Sequence, residues 1–398
     1  MPRIATRNDV PVYLQLAESI RRDILRRKLR PGDPYAAYAT LSKRFRVAIG
    51  TVQRAMNLLV STGALGGRPG RGTSILSLQP LANSLRARAG SASGRTKTRT
   101  RLVGLVTTDI ASDHFYAEVI RGAQDALGAS GYDPVIANSD DDVRKEERAV
   151  ERLIRKRVDG FLIDPVIGNL RRGYAHTRGL LRTGLPVVFL DKFYIDLAAD
   201  CVVSDNVQGA YRLTREMLRR GHRRLAFITE PSCSSVAERR DGFRTAARDA
   251  GLPSGSLRVL GGTLLYEEAG YRHGRELLRL ARPRRPTAIF GCNDRVARGL
   301  YRACSELGLS IPRDVSVVGY DGLPFCATLS PPLSTVVQPR YEMGFEAGRL
   351  LLQRLAGSAP PGAQKIIVKG KLILRRSLAK CATHPVRRSA LASSPKAH

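Results

Sequence analysis

At 398 residues with 43% hydrophobic side chains, the chain is too long for one ordinary domain and apolar enough to bury more than one core. Its formal charge of +31 predicts attraction to polyanions such as nucleic acid. Arginine-rich coding bias would give a similar total, so the distribution carries more weight: residues 1–101 hold 20 Lys+Arg against 4 Asp+Glu, about half the net charge in a quarter of the chain. Six cysteines at 201, 233, 292, 304, 326 and 381 form no C-x-x-C pair, which excludes an evident zinc site or disulfide frame and suits reduced thiols. No apolar run approaches the ~20 residues needed to span a bilayer, and MPRIATRNDV lacks a signal-peptide core. A cytoplasmic protein without membrane contact is expected.

In chain order, Tyr13 to Arg27 places Leu14, Ala17, Ile20, Ile24 and Leu25 on one helical face, and Leu29-Arg-Pro-Gly-Asp33 ends it in a turn. A second short helical pattern covers Tyr38 to Phe45. A third, FRVAIGTVQRAMNLL, sets Ile49, Val52, Met56, Leu59 and Val60 against Gly50, Thr51, Gln53, Arg54 and Asn57. GGRPGRGTSILSL follows as a tight hairpin whose second strand begins at Thr73. Residues 79–101 are small, basic and poor in large apolar side chains, as in a flexible linker. From Leu102, short apolar runs (LVGLV, PVIA, GFLI, PVVFL, CVVS, RLAFI, TAIFG, VSVVGY) alternate with amphipathic helical stretches. That pattern predicts α/β architecture with parallel sheets covered by helices, and residues 102–376 suffice for two lobes. Residues 377–398 read as a disordered basic tail.

Three helices followed by a Gly-rich hairpin suit a winged helix-turn-helix. Val12-Tyr-Leu-Gln-Leu, Leu29-Arg-Pro-Gly-Asp33, Leu41-Ser-Lys-Arg-Phe45, Thr51-Val-Gln-Arg-Ala55 and the wing Gly70-Arg-Gly-Thr73 resemble the DNA-binding domain of the GntR family of bacterial regulators, giving a domain over residues 1–78. The family carries a Ser-Arg pair after the valine that opens the third helix; Val47 is followed here by Ala48-Ile49-Gly50. A serine N-cap worth ~1 kcal/mol is thus missing, so Gly50, Thr51 or packing of Ile49 must hold the helix start. Base reading falls to Gln53, Arg54 and Asn57, whose amide and guanidinium groups suit adenine and guanine edges. Lys43, Arg44, Arg46, Arg68 and Arg71 suit phosphates. For each basic side chain taken singly, a solvated surface is the competing explanation.

Residues 102–376 resemble the LacI/GalR sensor domain and its periplasmic sugar-binding relatives, through Val103-Gly-Leu-Val106, Asp113-His-Phe-Tyr116, Val158-Asp-Gly-Phe-Leu162, Pro186-Val-Val-Phe-Leu-Asp191, Val203-Ser-Asp-Asn206, Arg239-Arg-Asp-Gly-Phe243, Cys292-Asn-Asp294, Val317-Val-Gly-Tyr-Asp321 and Pro332-Leu-Ser-Thr-Val-Val-Gln338. The resemblance implies two lobes joined by three crossovers, with a carbohydrate effector in the cleft. It implies Phe115 and Tyr116 as aromatic walls and Asp191, Arg239, Asn293, Asp321 and Gln338 as polar contacts; Tyr266 is a further candidate wall. Helix capping is the competing role for Asn293 and Asp321. The three acids Asp140 to Asp142 read as a solvated helix cap rather than a metal site. The short hinge-helix signature of LacI relatives is absent, its place held by Gly94-Arg-Thr-Lys-Thr-Arg.

Together the segments resemble hybrid regulators in which a GntR-type reader is fused to a LacI/GalR-type sensor. A homodimeric, effector-controlled repressor on a double-stranded DNA operator is expected, with neither cofactor nor metal. A constitutive architectural DNA-binding protein and a sugar-processing enzyme are the alternatives. The second lacks a P-loop, a G-x-S-x-G elbow or an H-E-x-x-H motif.

Overall fold

The computed structural model describes residues 12–27, 29–61, 65–67, 73–75, 99–110, 115–167, 175–231 and 233–381. The main division of the chain falls between Thr100 and Arg101, with segments 194–200 and 360–363 grouped with the first unit, and each unit is built on its own core.

The first unit contains α1 (Val12–Arg26), α2 (Tyr38–Phe45), α3 (Ile49–Ser61) and an antiparallel sheet ordered β1 (Pro34–Tyr35), β3 (Thr73–Ile75), β2 (Leu65–Gly67). The expected hairpin is present, and β1 extends it with a strand too short to show a period. Leu16, Ala17, Ile20 and Ile24 from α1 meet Leu41, Val52, Ala55, Met56 and Leu59 and are closed off by Leu65 and Ile75. Leu16 joins this core beside the expected Ala17, Ile20 and Ile24; the side chains of Leu14 and Leu25, also expected there, lie outside the described set. Ile49, expected in the core, is 56% exposed, whereas Val52 and Ala55 are buried. As the first residue of α3, it lies one turn ahead of the positions that meet α1, so packing of Ile49 does not hold the helix start. Backbone bonds from Thr51 and Val52 to the Ala48 carbonyl do.

Asp23 is the polar centre of this unit. It is 3% exposed and accepts from Arg44 Nη1 and Nη2 at 2.9 and 2.7 Å and from the Tyr35 hydroxyl at 3.1 Å, tying α1 to α2 and β1. Arg46 ends α2 in the left-handed region (φ 53°), and Ser42 Oγ donates to the Val47 carbonyl, fixing the turn into α3.

The second unit has two six-stranded sheets. Lobe 1 is ordered β14 (Lys365–Val368), β8 (Asp200–Ser204), β7 (Val187–Leu190), β6 (Gly160–Ile163), β4 (Leu102–Thr107), β5 (Asp133–Asn138). Lobe 2 is ordered β10 (Leu257–Leu260), β9 (Leu225–Ile228), β11 (Ala288–Gly291), β12 (Ser316–Asp321), β13 (Ser334–Val337), β15 (Lys371–Ile373), parallel except for β13 with β15. Strands β6, β7, β9 and β11 are buried at every residue because helices cover both faces. Lobe 1 carries α4 (Phe115–Gly128), α5 (Val143–Arg155), α6 (Ala175–Arg182) and, from far along the chain, α11 (Arg340–Leu355). Lobe 2 carries α7 (Asn206–Arg219), α8 (Ser234–Asp249), α9 (Tyr266–Leu278) and α10 (Asp294–Glu306). The chain passes between lobes at 204–206, 337–340 and 368–371, the three expected crossovers.

The sequence pattern does not mark α9 or α11. Both carry glycines on the face that packs most closely: a Cβ at Gly344 would lie 1.9 Å from the Val119 carbonyl oxygen, and one at Gly270 would lie 1.9 Å from that of Val296. The tail begins later than expected. Ser377 and Leu378 are buried, Ser377 Oγ accepts from the Ser334 amide at 2.8 Å, and the Cys381 amide donates to the Arg220 carbonyl at 2.7 Å. These bonds tie the segment to β13 and to the end of α7, so 377–381 belong to the sensor; 382–398 lie outside the described residues. At the other end, Arg101, expected in the linker, already binds Asp159 through its amide at 2.9 Å. The six cysteines are free thiols, four of them buried.

Candidate functional site

In both lobes the first strand is flanked by the second and third, so the strand order reverses beside β4 and β9, and the carboxyl ends of the strands face a common cleft. The cleft has a volume of about 1160 Å³. β4 delivers Thr108 and Asp109, β7 delivers Asp191 and Lys192, β9 delivers Glu230, β11 delivers Asn293, and β12 and β13 deliver Asp321 and Gln338. All eight sensor residues expected from sequence, Phe115, Tyr116, Asp191, Arg239, Tyr266, Asn293, Asp321 and Gln338, line it.

Arg239 organises the lobe 2 side. It is 3% exposed; Nε donates to Asn206 Oδ1 and Nη1 to the Cys292 carbonyl, both at 2.9 Å, and Nη2 pairs with Asp321 Oδ1 at 3.1 Å. Its guanidinium carbon lies 3.9 Å from the Tyr320 ring centre. Burial opposes its charge, but Asp321 and its other neighbours outweigh that and hold the guanidinium protonated. Burial likewise pushes the Asp321 carboxyl up, and Arg239 pulls it back. Gln338 Nε2 donates to the same Asp321 oxygen at 2.7 Å. Asn293 takes the capping role: Oδ1 accepts from the Val296 amide at the start of α10, 2.8 Å, while Nδ2, on the cleft lining, donates to Glu230 Oε2 at 3.0 Å.

On lobe 1, Tyr116 is 7% exposed and donates its hydroxyl to Asp164, which also accepts from Thr108 and pairs with Lys192 at 3.2 Å. Tyr116 therefore has its hydroxyl committed to Asp164. Phe115, half-buried, meets it edge-on at 5.0 Å between ring centres. Asp191 Oδ1 and Gln338 Oε1 are buried without a hydrogen-bond donor. Such oxygens are costly unless a ligand hydroxyl or water satisfies them.

The lobes are bridged by the Phe193 amide donating to Ser234 Oγ at 2.9 Å and by Lys365 paired with Glu238 at 2.6 Å, and further contacts cross the cleft. Tyr266 donates its hydroxyl to Asp141, and Arg295 pairs with Asp109 at 2.9 Å while stacking 4.4 Å over the Tyr266 ring. Asp142 caps α5 as expected, accepting from the amides of Arg144 and Lys145, but Asp141 beside it reaches across the cleft. Asp140, Asp141, Asp191, Tyr266 and Asp321 all have positive φ, from 48° to 118°, which places backbone strain at this site. Glu230, Lys192 and Arg295 were not singled out from the sequence, and Asp141 was read there only as part of a helix cap. They carry no motif and become neighbours only when strand ends and helix starts from distant segments converge.

In the first unit, Lys43, Arg46, Gly50 and Gln53 are exposed and Thr51 is half-exposed. Arg44 is part-buried, and both its terminal nitrogens donate to Asp23, which gives it a structural role beside the phosphate contact expected of it. The side chains of Arg54 and Asn57 and the wing residues Arg68 and Arg71 lie outside the described set.

Residues 12–75 match the bacterial regulatory proteins of the gntR family, and residues 214–378 match the periplasmic binding protein-like domain. The ribose operon repressor of Haemophilus influenzae is 31% identical over 280 residues, covering 70% of this chain and 81% of that protein. The chain belongs to the hybrid regulators that join a GntR-type reader to a LacI-type sensor. The arabinose metabolism transcriptional repressor of Geobacillus stearothermophilus is similar to this regulator along nearly its whole length, 29% identical over 92% of this chain and 98% of that protein. Among solved structures, a LacI family transcriptional regulator from Enterococcus faecium with bound ribose superposes on the hybrid regulator with a TM-score of 0.60 at 29% identity, covering 70% of this chain and 99% of that one.

Proposed function

We propose that this regulator is a transcriptional repressor that binds a two-fold DNA operator as a homodimer, and that an uncharged sugar of ribose or arabinose size, held between the lobes, controls its operator affinity. The observation that carries the effector reading is the pair of buried orphan acceptors, Asp191 Oδ1 and Gln338 Oε1, on residues that line the cleft together with Arg239 and Asp321. Acceptors without donors call for hydroxyl groups. Phe115 and the Tyr116 ring supply apolar surface for the C–H face of a sugar ring. The lining holds eight carboxyl side chains against four from Lys and Arg, which disfavours phosphorylated or acidic sugars. The names of the similar repressors, for ribose and for arabinose, fit this size.

On the DNA side, Gln53, Arg54 and Asn57 of α3 read base edges, Lys43, Arg46, Arg68 and Arg71 hold phosphates, and Gly50 and Thr51 allow close approach at the helix start. Paired sensors set the spacing of the two readers, and closure of the cleft changes it. Differential affinity of the sugar for open and closed forms supplies the coupling, typically ~1–3 kcal/mol.

The test is a thermal-shift and titration-calorimetry series with D-ribose, L-arabinose and ribose 5-phosphate, followed by operator titrations with each binder. The proposal expects a neutral pentose to stabilise the protein and shift operator affinity about 5- to 150-fold, with Arg239→Ala binding operator but indifferent to sugar. Equal operator affinity with and without every stabilising sugar would overturn it.

A further inference from the structure

Ile49 has no place in the fold that explains it. It is the only large hydrophobic side chain exposed among the described residues of the winged helix, 56% accessible, while Val52, Ala55, Met56 and Leu59 of the same helix are buried. Four residues on, and so on the same helical face, Gln53 is also exposed. Its neighbours Ala48 and Gly50 are exposed and carry no polar side-chain atom. A Cβ at Gly50 would meet nothing within 4 Å, and no positive φ requires glycine there. Glycine destabilises a helix relative to alanine, so its presence fits a surface that something else approaches closely. Exposed Lys43 and Arg46 lie just before this turn, in a region with 20 Lys+Arg against 4 Asp+Glu. The approaching surface is therefore anionic overall but must offer an apolar group to Ile49.

We infer that Ile49 reads the 5-methyl group of a thymine in the operator's major groove, making the first turn of α3 a thymine selector by apolar contact. The inference rests on the reading of α3 as the recognition helix. Among the four base pairs, only those containing thymine present an apolar group in the major groove. An isoleucine cannot bond to the polar edges of guanine, adenine or cytosine. Ala48 and Gly50, lacking bulk, let the groove wall close around the branched side chain. Thymine selection by Ile49 and hydrogen bonding by Gln53 then divide the half-site between the first and second turns of the helix.

The experiment selects binding sites for the full chain from a randomised duplex pool, then replaces each thymine of the selected site singly with deoxyuridine, which removes only the methyl group. At one position in each half-site, wild type should bind the uracil duplex roughly fourfold more weakly, the loss expected for one unburied methyl. Ile49→Ala should bind thymine and uracil duplexes equally there, while Ile49→Val retains part of the difference. Because the side chain is exposed, both variants should melt as wild type does. A wild type indifferent to every deoxyuridine, or an Ile49→Ala protein that keeps the full penalty, overturns the inference. Failure to select any sequence would overturn the reader assignment itself and this inference with it.

Discussion

The Arg239 guanidinium binds in three directions at once, to Asn206, the Cys292 carbonyl and Asp321, and is stacked on Tyr320. A lysine ammonium cannot reproduce that planar fork. Arg239→Lys should therefore lose ligand response and also destabilise the sensor by about 3 kcal/mol, because Asp321 is left buried without its partner; denaturant unfolding reads the second effect independently of the first. Asp191→Ala removes an acceptor with no internal donor to strand, so it should lower sugar affinity by about 10- to 100-fold with little change in stability, as measured by calorimetry. Asp294 offers a pH test. It is fully buried, accepts from Thr335 Oγ1 and the Leu323 amide, and is pushed from 3.8 to about 7 by burial first and by Asp321 second. The stability lent by its protonated form is complete below the unfolded value and is lost as pH rises through about 7. Between pH 4 and 7 the melting temperature of wild type should fall relative to that of Asp294→Asn. At this scale the sequence exposed the residues standing at strand ends within recognisable motifs, Asp191, Asn293, Asp321 and Gln338. It hid Glu230 and Lys192, whose positions depend on which strands become neighbours, and it misplaced Ile49 because a helical period does not tell where along a helix the packing begins.

At the scale of elements, closely crossing helix pairs organise both lobes. Gly344 of α11 meets the Val119 carbonyl of α4, and Gly122 of α4 meets that of Tyr341 in return; Gly270 of α9 and Gly299 of α10 repeat the arrangement. Such reciprocal contacts leave no room for a methyl group. Gly344→Ala should cost about 1–3 kcal/mol or more by forcing the helices apart, seen as a lower denaturant midpoint. The same glycines weakened the helical signal, so α9 and α11 were illegible for the reason that lets them pack. The buried strands were legible because continuous apolar runs are what two covered faces require. In the winged helix, Asp23 joins three elements, and although burial works against its charge, hydrogen bonds from Arg44, Tyr35 and Arg26 hold its carboxyl below the ordinary range. That stability is present above the unfolded pKa and is lost as pH falls through the folded one. Asp23→Ala should leave Arg44 unpaired and cost about 2 kcal/mol, detected as faster amide exchange in α1 and α2 with the sensor unchanged.

For the whole molecule, the cross-cleft contacts weight the balance between open and closed sensor. Tyr266→Phe removes the bond to Asp141, and Arg295→Ala removes both the Asp109 pair and the stack on Tyr266. The double variant should have a larger radius of gyration without sugar in X-ray scattering and a several-fold weaker apparent sugar affinity, because a smaller fraction of molecules is closed. The three crossovers also set an order of birth on the ribosome. The reader is complete once Ile75 has emerged, and lobe 2 has nearly all its sheet and helices by Val337. Lobe 1, although its first strand begins at Leu102, waits for α11 and for β14 at Lys365–Val368 before its core is covered and its edge paired. Between Val337 and Val368 the nascent chain thus holds an unfinished parallel sheet between two nearly finished bodies, and a message truncated before codon 340 encodes a DNA reader whose sensor cannot close.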